Sequence, residues 1–146
     1  MHLTDIEDFL FEIINIAKGK VAALKPQVAF FEEWGPEGLS LLSKISNFGK
    51  DLDLPIIMDA KRGDIGNTAK QYAASIFGHF GFDSVTLSPY MGEDSIMPFL
   101  TNKEKGVFIL CKTSNPSASD FQNLQQNDKK LFELVAEKCF IWNEKD

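Results

Sequence analysis

Four short apolar runs punctuate the chain: Val21–Leu24 (VAAL), Leu54–Met58 (LPIIM), Val85–Leu87 (VTL) and Val107–Leu110 (VFIL). Helical patterns lie between them. Strands that are apolar throughout need cover on both faces, and intervening helices supply it, so the alternation predicts a parallel sheet. Two architectures satisfy this order: a doubly wound sheet and a (β/α)8 barrel.

The helical segments have their own signals. Thr4 and Glu7 stand at capping-box spacing, and Ile6, Phe9, Leu10, Ile13, Ile14 and Ala17 then recur with helical period, with Gly19 as C-terminal cap. Leu39, Leu41, Leu42 and Ile45 form the stripe of a second helix, which Gly49 is expected to end. A third helix is predicted over Thr68–His79 and a short one over Asp94–Leu100. Polar residues Ser117–Asp128 read as a loop. A last helix is expected over Lys129–Trp142, with Leu131, Leu134, Val135 and Lys138 on its grid.

Composition narrows the function classes. With 15 basic and 21 acidic residues the net charge is −6, and the basic residues are dispersed, which argues against a general nucleic-acid binder. No apolar run approaches the roughly 20 residues that cross a bilayer. The acidic start, Met1–Asp8, is unlike a signal peptide. Cys111 and Cys139 are the only cysteines and read as isolated thiols, Cys111 as a buried apolar residue, and the two His form no zinc-type cluster. A reducing cytoplasm is the compartment these features lead one to expect. The 13 Phe predict a largely aromatic core.

Every apolar run ends in polar residues: Lys25, Asp59, Ser88 and Lys112-Thr113-Ser114. Parallel α/β folds bind ligands at the carboxyl ends of their strands, so these four ends point at one shared site. For Ser88 and Lys112, the alternative is that polar residues only mark where a strand meets solvent. The segment Asp59-Ala60-Lys61-Arg62-Gly63-Asp64-Ile65-Gly66 is more specific. Side chains two apart on a strand share a face, which sets the Asp59 carboxylate beside the Lys61 ammonium. Gly63 and Gly66 permit a tight turn bringing Asp64 near the same or a neighbouring pocket. A fixed ammonium suits a reaction that develops negative charge on its substrate; the competing reading is a surface ion pair worth about 0–1 kcal/mol. No dinucleotide, Walker-type or nucleophile-elbow motif is present. His79 falls on a helix as a structural residue, and Arg62-Gly63-Asp64 is an adhesion tripeptide by coincidence.

The run from Asp59 to Ala69 (DAKRGDIGNTA) closely resembles the signature of orotidine 5′-phosphate decarboxylases of the longer bacterial type. Lys25-Pro26-Gln27 with Phe30-Phe31-Glu32, Leu87–Gly92 (LSPYMG) and Lys112–Pro116 (KTSNP) agree in the same order. The resemblance implies a (β/α)8 TIM barrel, active as a dimer without metal or organic cofactor. It implies conversion of orotidine 5′-monophosphate to UMP and CO2 in pyrimidine biosynthesis. Carried over residue by residue, it implies Lys61 as proton donor to C6 of the pyrimidine and Asp59 beside the departing carboxylate. Lys25 would join the charged network and contact ribose, and Ser114 would hydrogen-bond the ring. Asp64, with Ile65 and Thr68 beside it, would reach into the partner subunit's site.

Against that family the apolar runs match the second to fifth strands. Residues 1–146 are therefore expected to be one partial barrel domain, an internal segment lacking the first strand, with its ribose-binding Asp, and the last three βα units, with the phosphate-binding Gln and Arg. Such a chain is expected to be inactive alone. Two other readings compete: a non-catalytic remnant or half-barrel that assembles with a second copy, and a Mg²⁺-dependent sugar-phosphate decarboxylase of the same superfamily.

Overall fold

The computed structural model describes residues 2–145. Helix α1 (Leu3–Ala17) begins one residue before the expected cap: the Asp5 carboxylate accepts the His2 backbone N–H at 2.9 Å. Gly19 follows the C-cap Lys18 at φ +72°, as the cap signal predicted. Along α1 the inward row is Leu3, Ile6, Leu10 and Ile14; Phe9 and Ile13, expected in the stripe, are exposed.

The sheet has three parallel strands in the order β1 (Ile57–Arg62), β2 (Ser84–Leu87) and β3 (Gly106–Ile109). The expected strand at Val21–Leu24 is not one: isolated parallel bridges, Leu24 to Ile56 and Gln27 to Asp59, join the segment Leu24 to Gln27 to β1 and the residue before it. Proline explains the interruption. Leu24 donates to Pro55 and accepts from Ile57, Asp59 donates to Pro26, and Val28 donates to Asp59. The rung missing from this parallel ladder is the one Pro26 would donate, and proline has no N–H.

Helices α2 (Ala29–Glu32) and α3 (Gly35–Asp51) follow the bridged segment. Gly49 does not end α3 but lies inside it, where a Cβ would stand 2.6 Å from Ile56 Cδ1. Its role is close approach of helix and strand. Helix α4 (Gly66–Ala73) widens into π-helical turns over Ala74–His79. After β2 come a 3-10 turn (Glu93–Ser95) and α5 (Met97–Leu100), and α6 (Leu131–Asn143) closes the described chain. The buried face of α6 runs through Cys139 and Trp142, and Lys138 is exposed.

The expected loop over Ser117–Asp128 contains a 3-10 turn (Pro116–Asp120) and the first strand of a small antiparallel hairpin, β4 (Gln125–Gln126) with β5 (Lys129–Lys130). Asn127 and Asp128 take φ +50° and +63° at its tip, residue types that tolerate this conformation in tight turns.

Val85, Thr86 and Leu87 of β2 are all buried, as expected for a central strand covered on both faces. Leu41, Leu42 and Ile45 of α3 join Ile56, Met58 and Val85 in the core. That core is mainly aliphatic. Phe82 and Phe99 are fully buried, whereas Phe9, Phe30, Phe108, Phe121 and Phe140 are exposed, which corrects the expected aromatic core. At the amino end of the sheet, Asp83 accepts the Ile56 N–H at 2.9 Å and the Lys105 ammonium at 3.2 Å, tying the three strand starts together.

Candidate active site

At the opposite, carboxyl end of the sheet the chain gathers its charges around Asp59. The Lys25 ammonium lies 3.2 Å from Oδ2, and the Lys61 ammonium 2.5 Å from Oδ1. Asp59 is buried, while both lysine side chains remain about half exposed. Burial, the largest single effect, opposes ionisation of this carboxyl. Hydrogen bonds from Lys61, Thr86 and Lys25 outweigh it and hold the group below its ordinary 3.8.

Asp59 and Lys61 do come side by side, but not by plain strand alternation. The register passes from Met58 opposite Val85 to Arg62 opposite Leu87, so three β1 residues oppose Thr86 alone. At this bulge Lys61 adopts φ +48°, a left-handed conformation that costs an L-residue about 1–2 kcal/mol. Thr86 fills the gap. Its hydroxyl accepts the N–H groups of Ala60 and Lys61, each at 3.0 Å, and donates to Asp59 Oδ1 at 2.9 Å. The sequence reading missed Thr86; the available signal was a single polar residue inside an otherwise apolar run.

Arg62, next along, pairs with Glu32 at 2.7 Å and lies over the Tyr72 ring, tying the strand end to α2 and α4. The Ser88 N–H donates to the Arg62 carbonyl at 2.7 Å, and a Cβ on Gly63 would stand 3.1 Å from that of Ser88. Asp64 does not join the lysine cluster: its carboxylate accepts the N–H of Ile65 at 2.8 Å. Ile65 and Thr68 are exposed where Gly66, at φ +57°, opens α4.

Beyond β3, Lys112 is engaged elsewhere, donating to Asn123 at 2.7 Å and lying over the Phe132 ring. Thr113 and Gln122 exchange two hydrogen bonds at 2.8 Å. Ser114 beside them is exposed, and no hydrogen bond ties it to the Asp59 cluster. The two cysteines are neighbours rather than isolated: burial, and then Cys111 beside it, pushes the Cys139 thiol up to about 11.

Among the described residues, no group of three or more His, Cys, Asp and Glu side chains is placed to hold a metal ion, and no helix is long and apolar enough to cross a membrane.

A parallel α/β sheet with helices, carrying a lysine–carboxylate–lysine cluster at its carboxyl end, places the chain among α/β proteins that bind ligands at that end of the sheet. Within this class the chain belongs to the Orotidine 5′-phosphate decarboxylase / HUMPS family, whose model it matches over residues 1–138. It is 45% identical over 134 residues to an orotidine 5′-phosphate decarboxylase of Natronomonas pharaonis, covering 90% of this chain and 49% of the relative. With that of Caldicellulosiruptor saccharolyticus the identity is 40% over 157 residues, covering 96% and 52%. The solved structure of Leishmania donovani OMP decarboxylase matches with a TM-score of 0.94 at 41% identity, covering 99% of this chain and 58% of that one. The chain thus spans about half the length of the curated relatives it matches.

Proposed function

We propose that the Lys25–Asp59–Lys61 cluster is the decarboxylating centre of an orotidine 5′-phosphate decarboxylase, converting orotidine 5′-monophosphate to UMP and CO2. One observation carries this reading: the Lys61 ammonium is held against a buried carboxylate at a strand end. When the C6–carboxyl bond breaks, its electron pair stays on C6 in the plane of the ring, where resonance spreads it poorly. A preorganised ammonium stabilises that charge. Lys61 then gives a proton to C6 and regains one from water. Asp59 lies beside the substrate carboxylate, and their repulsion is relieved as CO2 leaves.

The other roles are part of the same proposal. Lys25 contacts ribose as well as Asp59, and Ser114 hydrogen-bonds the pyrimidine. Asp64, Ile65 and Thr68 reach the partner's site in a homodimer, a role that the exposure of Ile65 and Thr68 leaves open to them. The Leu24–Val28 ladder and β1–β3 stand for the second to fifth strands of the barrel, and residues 1–146 for one partial domain. The reaction needs no metal or organic cofactor and takes place in the cytoplasm. The Mg²⁺-dependent sister chemistry is disfavoured at Asp59, where a divalent cation would have to displace two ammonium groups.

Grip on the distant phosphate raises the rate by binding energy realised at the reacting centre. The chain by itself is therefore proposed to turn over far more slowly than a complete barrel. The test is a chimera in which this chain replaces the matching segment of the L. donovani protein. UMP formation that is lost in Lys61→Ala, with nucleotide binding retained, supports the reading. Near-normal turnover by Lys61→Ala overturns it.

A second reading, assembly of two copies into one barrel-like body, is favoured by the large apolar side chains exposed on both flanks. Phe108 lies on strand β3, and Phe30 borders a groove of about 500 Å³ with Leu24 and Trp34. Light scattering that finds only monomer rejects it.

A further inference from the structure

Asp59 and Lys61 meet across a part of β1 that ordinary strand geometry does not stabilise. Three residues there face one on β2, and two consecutive amides, Ala60 and Lys61, turn toward the Thr86 side chain instead of a backbone carbonyl. A hydroxyl offers one donor and two acceptor sites. Thr86 uses all three within 3.0 Å: two backbone amides of the bulge and the Asp59 carboxylate. The residue is buried, which limits competition from water for these bonds.

We infer that Thr86 is a positioning residue of this site, holding Lys61 in its left-handed backbone conformation and Asp59 in register with it through one hydroxyl. The alternative is that Thr86 only fills a β-branched position in a buried strand. Valine has the same shape without the hydroxyl, and serine keeps the hydroxyl without the branch, so two variants separate these roles. The catalytic consequence rests on the proposed decarboxylation; the geometric role does not.

The experiment uses the 146-residue chain and NMR. In Thr86→Val, amide hydrogen exchange at Ala60 and Lys61 is expected to speed up about tenfold, as for the loss of one buried hydrogen bond. The Asp59 carboxyl is expected to titrate closer to its ordinary 3.8. Exchange at Leu87 on the far side of the bulge should stay unchanged, and Thr86→Ser should resemble the parent chain at every position. If Thr86→Val leaves Ala60, Lys61 and Asp59 unaltered, or if Thr86→Ser behaves like it, the inference fails. A measurement on the parent chain guards against a variant that does not fold: the Thr86 hydroxyl proton should exchange slowly, and rapid exchange overturns the inference. In the chimera, Thr86→Val is expected to lower kcat more than it changes KM. A chimera without turnover, combined with the expected exchange data, would reject the decarboxylase reading and leave the positioning role standing.

Discussion

The ends of β1 and β3 carry similar polar residues yet are built differently. At β1 a buried carboxylate is bound by two ammoniums and a hydroxyl, and that hydroxyl also takes two backbone amides. At β3, Lys112 and Thr113 are tied to Asn123 and Gln122 of the following loop, and Ser114 stands exposed. A buried charge without partners costs several kcal/mol, so the β1 end must assemble whenever the sheet folds. An exposed hydroxyl has water as a ready substitute and imposes no geometry. The β1 end is therefore preorganised, whereas Ser114 at the β3 end is held by no comparable network.

The largest test of this contrast is catalytic. In a chimera that forms UMP, Lys61→Ala is expected to lower kcat by about 10²–10⁴-fold, the range of a general acid. Ser114→Ala should cost about tenfold, the scale of one hydrogen bond. Equal losses in steady-state assays would break the contrast. Next comes stability. Asp59→Ala leaves Thr86 without its acceptor and should cost about 2 kcal/mol in urea unfolding. Lys112→Ala, at an exposed position, should stay within about 0.5 kcal/mol of the parent.

A smaller effect isolates the backbone. Lys61→Gly should be about 1 kcal/mol more stable than Lys61→Ala, because only alanine pays for the left-handed conformation. The smallest effect is a pH dependence. The Asp59 carboxyl titrates lower in the folded chain than its ordinary 3.8, so the unfolded chain binds the proton first. The stability this supplies is fully present above that pH and is lost as pH falls through the lower, folded value. Asp59→Asn should flatten the unfolding curve in that acid window, while Lys112→Ala should not.

Much of this was legible in the residues. The apolar runs located β1, β2 and β3, because parallel strands covered on both faces must be apolar throughout. The cluster Lys25, Asp59 and Lys61 was also legible, since polar residues that end such runs fall at one edge of the sheet. The run Val21–Leu24 misled because its sequence is strand-like, whereas the proline two residues later removes a rung of the ladder. Gly49 misled because a glycine that ends a helix and one that admits a neighbouring strand look alike until Ile56 is seen beside it. Aromatic content did not reveal burial either: several Phe lie on faces that this chain leaves open.

The alternation of β1, β2 and β3 with helices, the family and the identity of the charged residues were determined by the sequence alone, because periodicity and motif are local properties. The bulge at Lys61, the three bonds of Thr86 and the nearness of Cys111 to Cys139 were decided only by tertiary structure. Each depends on residues about 25 or more positions apart meeting in the folded chain. Local spacing carries no record of which distant side chain will fill a gap in a strand; packing of the sheet chooses it.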